Sequence, residues 1–192
     1  MKRSGFVVTW AAAVALGWAG RSVFSDDPPA QPAGPSPEEW AKFGQPGEEH
    51  ARLKALVGEW NAHVKMTEDG KVTETEGTTS MTMILGGRYL LQEAHGSFGG
   101  QPFEGRGLIG FDKGSKRWVS TWIDTMGTGI LFGEGEETVK GKSWAFKSTF
   151  NGPAGPMSLR DVVTVVGEKA LTWESYMGGA DKPMMTIDYT RK

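Results

Sequence analysis

From Glu59 to the C-terminus, apolar residues recur at every second position. Trp60, Ala62, Val64 and Met66 alternate with Asn61, His63, Lys65 and Thr67, the period of a strand with one buried face. Asp69-Gly70 then supplies the residue pair that best accommodates a tight hairpin. Further strands are expected over 72–85, 89–98, 103–111, 117–125, 129–139, 143–151, 157–166, 171–177 and 184–191. Gly-, Pro- and Asp-rich breaks such as Gly86-Gly87, Gly99-Gly100-Gln101-Pro102 and Asp112-Lys113-Gly114 separate them. These links leave no room for helical crossovers, so neighbours in sequence should pair antiparallel. About ten such strands, as an open sheet, would expose two unpaired edges. Closure into an up-and-down barrel removes both. The expected fold is therefore all-β, an antiparallel up-and-down β-barrel of about ten strands, with a two-sheet sandwich as the alternative. Gly105, Gly107, Gly133 and Gly135 inside strand segments fit the bends of a small coiled barrel.

Ahead of the strands the period lengthens. Ser36-Pro37-Glu38-Glu39 reads as a capping box, with Pro37 at the first helical position and a stop at Gly44, Pro46 and Gly47. A second helix is expected over 48–57, with His50, Leu53, Leu56 and Val57 on one face and Gly58 just past its end. Residues 20–37 contain Pro28, Pro29, Pro32, Pro35 and Pro37 with few large apolar residues, the composition of an extended linker. Before that, Lys2 and Arg3 precede the apolar run Phe6–Ala19. The run falls short of the about 20 residues of a spanning helix and fits a signal peptide over 1–19, with Gly17 and Ala19 as the small residues before a cut. A retained N-terminal anchor is the alternative. Export to the periplasm or beyond is expected, with the barrel domain occupying 38–192 and no membrane span in the mature chain.

Composition narrows the chemistry. With no cysteine, the chain has no disulfides, thiolate metal sites or cysteine nucleophile. Its 21 basic and 23 acidic residues give a net charge of −2, too even for a nucleic-acid binder, and removal of Lys2 and Arg3 would make it more acidic. Glycine, 28 of 192 residues, is in excess without a three-residue period, as in a turn-rich β protein.

The features with most chemical content are two aromatic strand faces. Trp118, Ser120, Trp122 and Asp124 share one face by alternation, and Trp144, Phe146, Ser148 and Phe150 share another. Inward aromatics with a few polar groups line small-ligand pockets, although the same side chains also fill solid barrels. Asp124, if inward, would bind a ligand hydroxyl or amine, act as a general base, or hold Arg88, Arg106 or the amides of a turn. Glu93 and His95 share a parity and form a candidate polar pair, inside the barrel or on its surface. The candidate ligand-binding residues are thus Trp118, Trp122, Asp124, Trp144, Phe146, Glu93 and His95. No catalytic set stands out.

Of the other histidines, His50 belongs with rim packing and His63 with the solvated face. No metal-binding histidine spacing occurs, so no metal is expected. No histidine follows His95, which argues against haem, since haem-binding barrels that resemble this one take an axial histidine from a late strand. No cofactor is expected. Met157, Met177, Met184 and Met185 suit core filling.

Gly58-Glu59-Trp60 resembles the opening of the calycin barrels, the lipocalin and fatty-acid-binding group. There the tryptophan plugs one barrel end under a late basic side chain, and Arg191 is the match here. Arg191 with Tyr189 would alternatively bind a carboxylate. A broader likeness runs through Gly86-Gly87-Arg88-Tyr89-Leu90, Pro102–Gly107, Gly110-Phe111-Asp112, Thr121-Trp122-Ile123-Asp124 and Tyr189-Thr190-Arg191-Lys192. In that order the motifs resemble the bacterial family called domain of unknown function 1579, over roughly residues 48–192. The resemblance implies a lipocalin-like barrel and supplies no activity. The expected function is a non-enzymatic barrel for a small hydrophobic or amphipathic molecule. The alternatives are an isomerase- or cyclase-like enzyme using Asp124 or Glu93/His95, and a solid-cored interaction module.

Overall fold

The computed structural model describes residues 34–153 and 155–192. The expected signal peptide and most of the expected linker lie outside the described residues. Two short helices, α1 (Pro37–Phe43) and α2 (Glu48–Arg52), precede a 3₁₀ turn over Leu53–Leu56. Ten strands follow: β1 (Gly58–Glu68), β2 (Lys71–Ile84), β3 (Tyr89–Phe98), β4 (Gln101–Asp112), β5 (Arg117–Asp124), β6 (Leu131–Val139), β7 (Ser143–Gly152), β8 (Gly155–Gly167), β9 (Ala170–Met177) and β10 (Met185–Arg191). Each pairs antiparallel with its neighbour in sequence, and β1 pairs with β10, so the barrel is closed and no edge is left. A sandwich is excluded.

The helix expected over 48–57 is shorter than its apolar pattern suggested. It ends at Arg52, and the chain tightens into the 3₁₀ turn. Side chains three apart eclipse in that geometry. Leu53 and Leu56 therefore point the same way, and both are fully buried at the end of the barrel. Arg52 Nε lies 2.9 Å from Glu137 Oε1, and Arg88 Nε donates to Gly44 O at 3.0 Å, fixing the helical segment to the strands.

Odd-numbered strands run away from this end and even-numbered strands return to it. One end is consequently a packed floor. Trp60 is fully buried there, and its indole Nε1 donates to Leu56 O at 3.1 Å. The Arg191 guanidinium lies 4.2 Å from the Trp60 ring centroid, donating from Nη1 to Val57 O (2.8 Å) and from Nε to Glu168 O (3.1 Å). Gly58 adopts φ +152°, and a Cβ there would collide with Arg191 Nη1. The bare backbone of Gly58 is thus what lets the guanidinium reach over the indole.

The turns follow from their residues. Asp69 (φ 49°) and Gly70 (φ 77°) both take positive φ, the pairing of a two-residue primed hairpin turn. Asp112 accepts hydrogen bonds from the amides of Gly114 and Ser115 and from the Ser115 hydroxyl, and these hold its pKa below the ordinary carboxylate value.

Candidate functional site

Above the floor the barrel is hollow. A cavity of about 990 Å³ occupies its other half, lined mostly by apolar side chains and reaching the loops at the far end. Its volume lies at the upper end of the range for sites that enclose a small molecule.

The two aromatic faces divide between floor and cavity according to depth. Both do point inward: the register pairs Trp118 with Phe111 and Gly135, Trp122 with Gly107 and Leu131, and Phe146 with Gly135 and Asp161. Trp118 and Trp144 stand near the starts of β5 and β7, next to the floor. Their rings pack edge to face at 5.8 Å, with Phe111 against Trp118 at 5.3 Å, and Trp144 and Phe146 are completely buried. Trp118, Trp144 and Phe146 are therefore core residues and do not line the cavity, contrary to the sequence expectation. Trp122, Asp124 and Phe150, farther along the same strands, do line it.

Trp122 explains two of the strand glycines. Its ring lies flat over Gly105 and Gly107 of β4, where a Cβ at either position would overlap it. These glycines make room for a ring in the cavity wall, rather than a bend. Asp124 then fixes the indole. One carboxylate oxygen accepts from Trp122 Nε1 at 2.7 Å and the other from the Met126 amide at 2.8 Å. Of the expected roles for Asp124, the structure displays the hold on a turn amide; neither Arg88 nor Arg106 is its partner.

Glu93 and His95 form no pair inside the barrel. Glu93 opposes Arg106 on β4, turned away from the inward Gln92, and its Oε1 lies 3.1 Å from Arg106 Nε. His95 is exposed on the same outward parity, near the mouth. Their shared parity was correct, but the buried face of β3 belongs to Leu90, Gln92 and Ala94. His63 also faces outward, between Glu74 (3.2 Å) and Glu76 (2.6 Å), so it is partnered rather than free in solvent. His50 is buried against Phe111, accepts the Gly47 amide at 3.0 Å, and is pushed below its ordinary pKa by burial.

The polar heart of the cavity lies elsewhere, on β8 and β9. Asp161 occurs in the inward series Leu159, Asp161, Val163, Val165 and is only 9% exposed. Its Oδ1 accepts from Ser175 Oγ at 2.5 Å and from Trp173 Nε1 at 3.2 Å. Burial raises the Asp161 pKa above the ordinary value, and these two hydrogen bonds oppose that shift only in part. Along the wall, Gln92 Nε2 donates to the buried Tyr189 hydroxyl at 3.3 Å, with Thr79 beside it. Burial pushes the Tyr189 phenol upward, so it remains a neutral hydrogen-bonding group. The clue to Asp161 was present in the sequence as one carboxylate interrupting an apolar alternation. In the sequence Asp124 is the more conspicuous carboxylate, two positions from Trp122.

Among the described residues no lysine or arginine lines the cavity, and no cluster of His, Asp and Glu is arranged to hold a metal ion. Arg160, next to Asp161 in sequence, faces outward with its guanidinium 3.9 Å from the Tyr176 ring. Arg191 is engaged in the floor, so Tyr189 and Arg191 do not form a carboxylate clamp.

The family model for DUF1579, a protein of unknown function, matches residues 45–191. The chain belongs to the DUF1579 family. Among curated proteins none matches it. Solved structures with a similar course include the crystal structure of Rv2717c from M. tuberculosis, at 12% identity and TM-score 0.48, covering 77% of this chain and 99% of that one. A de novo designed fluorescence-activating β-barrel aligns at 15% identity and TM-score 0.42, covering 73% and 96% of the two chains. A redesigned β-barrel aligns at 14% identity and TM-score 0.42, covering 73% and 95%. In this DUF1579 barrel, then, fold and cavity come from the chain's own geometry, and the family supplies no activity.

Proposed function

We propose that the protein is an exported, non-enzymatic barrel that encloses a small hydrophobic or amphipathic molecule. The observation that carries this reading is the division of the barrel interior. Trp60, Trp118, Trp144 and Leu56 pack one half solid, whereas a cavity of about 990 Å³ remains in the other. A solid-cored interaction module needs no such space. Apolar walls favour burial of an apolar ligand body at roughly 25 cal/mol per Å². The acid–base candidates lend catalysis no support, since Asp124 has both oxygens engaged and Glu93 faces outward.

Export rests on Lys2, Arg3 and the apolar run Phe6–Ala19. N-terminal sequencing of protein recovered from an exporting host should begin at Gly20; retention of Met1 would contradict cleavage.

Native mass spectrometry tests the binding. The protein incubated in turn with decanol, decylamine and decanoate should show a one-to-one complex with at least one of them, and that complex should vanish on denaturation. Absence of any complex would overturn the reading.

A further inference from the structure

Among the described residues, the cavity contains a carboxylate without a counter-charge. Asp161 stands at mid-depth on β8, more than nine-tenths buried, and both hydrogen bonds it receives fall on Oδ1. Among the described residues Oδ2 accepts none. The side chains around it on the adjoining strands are Phe146 and Ser148 of β7, and Trp173 and Ser175 of β9. Met185 and Ile187 of β10 continue this wall. None of these six is cationic. The other titratable groups of the cavity wall are Asp124 on β5 and Tyr189 on β10, with Glu76 and His95 at the rim. Among the described residues no lysine or arginine faces the space. An ionised carboxylate removed from water is costly unless it is paired.

We infer that the cavity selects a lipophilic amine, its ammonium group seated against Asp161 and its apolar body filling the space between Asp161 and the mouth. This rests on the reading of the barrel as a small-molecule binder and adds the ligand's chemical class. An ammonium supplies the positive charge that the wall lacks, and its N–H donors suit the vacant acceptor Oδ2. An alcohol of the same length would bury the same apolar body but leave the charge uncompensated. A carboxylic acid would bring a second negative charge beside Asp161 and Asp124.

The experiment compares decylamine, decanol and decanoate by calorimetric titration of the wild-type protein and of Asp161→Asn at about pH 8. In the wild type the amine should bind at least about tenfold more tightly than the alcohol, and the carboxylate most weakly. Asp161→Asn should abolish the amine's advantage while the alcohol still binds. Equal binding of amine and alcohol to the wild type would overturn the inference, as would an amine advantage that survives Asp161→Asn. Either result would leave the binding barrel itself intact. If none of the three binds, the cavity reading falls as well.

Should Asp161→Asn fail to fold, the same titrations of the wild type at about pH 4 stand in for it, because decylamine remains charged there. The amine's advantage should shrink toward acid as Asp161 takes up a proton. An advantage unchanged between the two pH values would overturn the assignment.

Discussion

Asp161 illustrates how one side chain can lower stability while shaping a site. Burial raises its folded-state pKa above 3.8, so between that value and its folded pKa the native chain holds a proton that the unfolded chain has released. Stability contributed by this group therefore falls as pH rises through that window, and the full penalty persists above it. Asp161→Asn keeps an acceptor for Ser175 and Trp173 and removes the charge. It should raise stability at neutral pH by on the order of 1 kcal/mol in urea unfolding. A loss of stability would mean that the ionised group is already compensated. His50 acts in the opposite direction. Its folded pKa lies below 6.5, so its contribution grows as pH rises toward 6.5 and is lost in acid. Replacing His50 with Gln should flatten that limb of the stability profile, which thermal melts across the acid range would show. At Gly107 the constraint is steric: a Cβ would lie 2.8 Å from Trp122 Cε3 and 2.9 Å from Thr121 O. Gly107→Ala should cost about 1–3 kcal/mol and displace the indole, seen as a changed tryptophan near-UV signal.

At the scale of elements, strand parity was legible along the chain and depth was not. Alternation correctly placed Trp118 and Trp122 on the same face, yet only one of them reaches the cavity. Which end of a strand meets the floor depends on barrel closure and on where Leu53 and Leu56 pack, neither of which a period of two encodes. Alternation did not decide the direction of Glu93, because Tyr89 and Leu91 on its own parity are as apolar as Leu90 on the buried one. The 3₁₀ turn is not legible in the sequence because an i, i+3 apolar spacing serves both helix types. Hairpin chemistry was the more readable part, as at Asp69-Gly70. One turn carries local strain: Leu85 adopts φ 50° while 67% exposed, just before Gly86-Gly87. Leu85→Asn should stabilise the protein by about 1 kcal/mol, measurable as a raised urea midpoint, because asparagine tolerates that conformation better.

For the whole molecule, the closed strand order was foreseeable from ten short-linked strands, whereas a half-empty interior was not. Composition fixes how many large side chains exist, but not how they divide between the two ends. Here the helical segment, Trp60 and the aromatic set of Phe111, Trp118 and Trp144 concentrate at the floor. Small inward residues such as Gly77, Ala94 and Gly96 leave the opposite half open. Titration with Nile red, an uncharged apolar dye, tests the hollow half directly. The wild-type barrel should bind one dye with a saturable rise in emission. Ala94→Phe, which fills the space from β3 without touching the floor, should retain the wild-type far-UV spectrum and abolish the rise. Dye binding undiminished in that folded variant would place the dye outside the cavity and contradict the account.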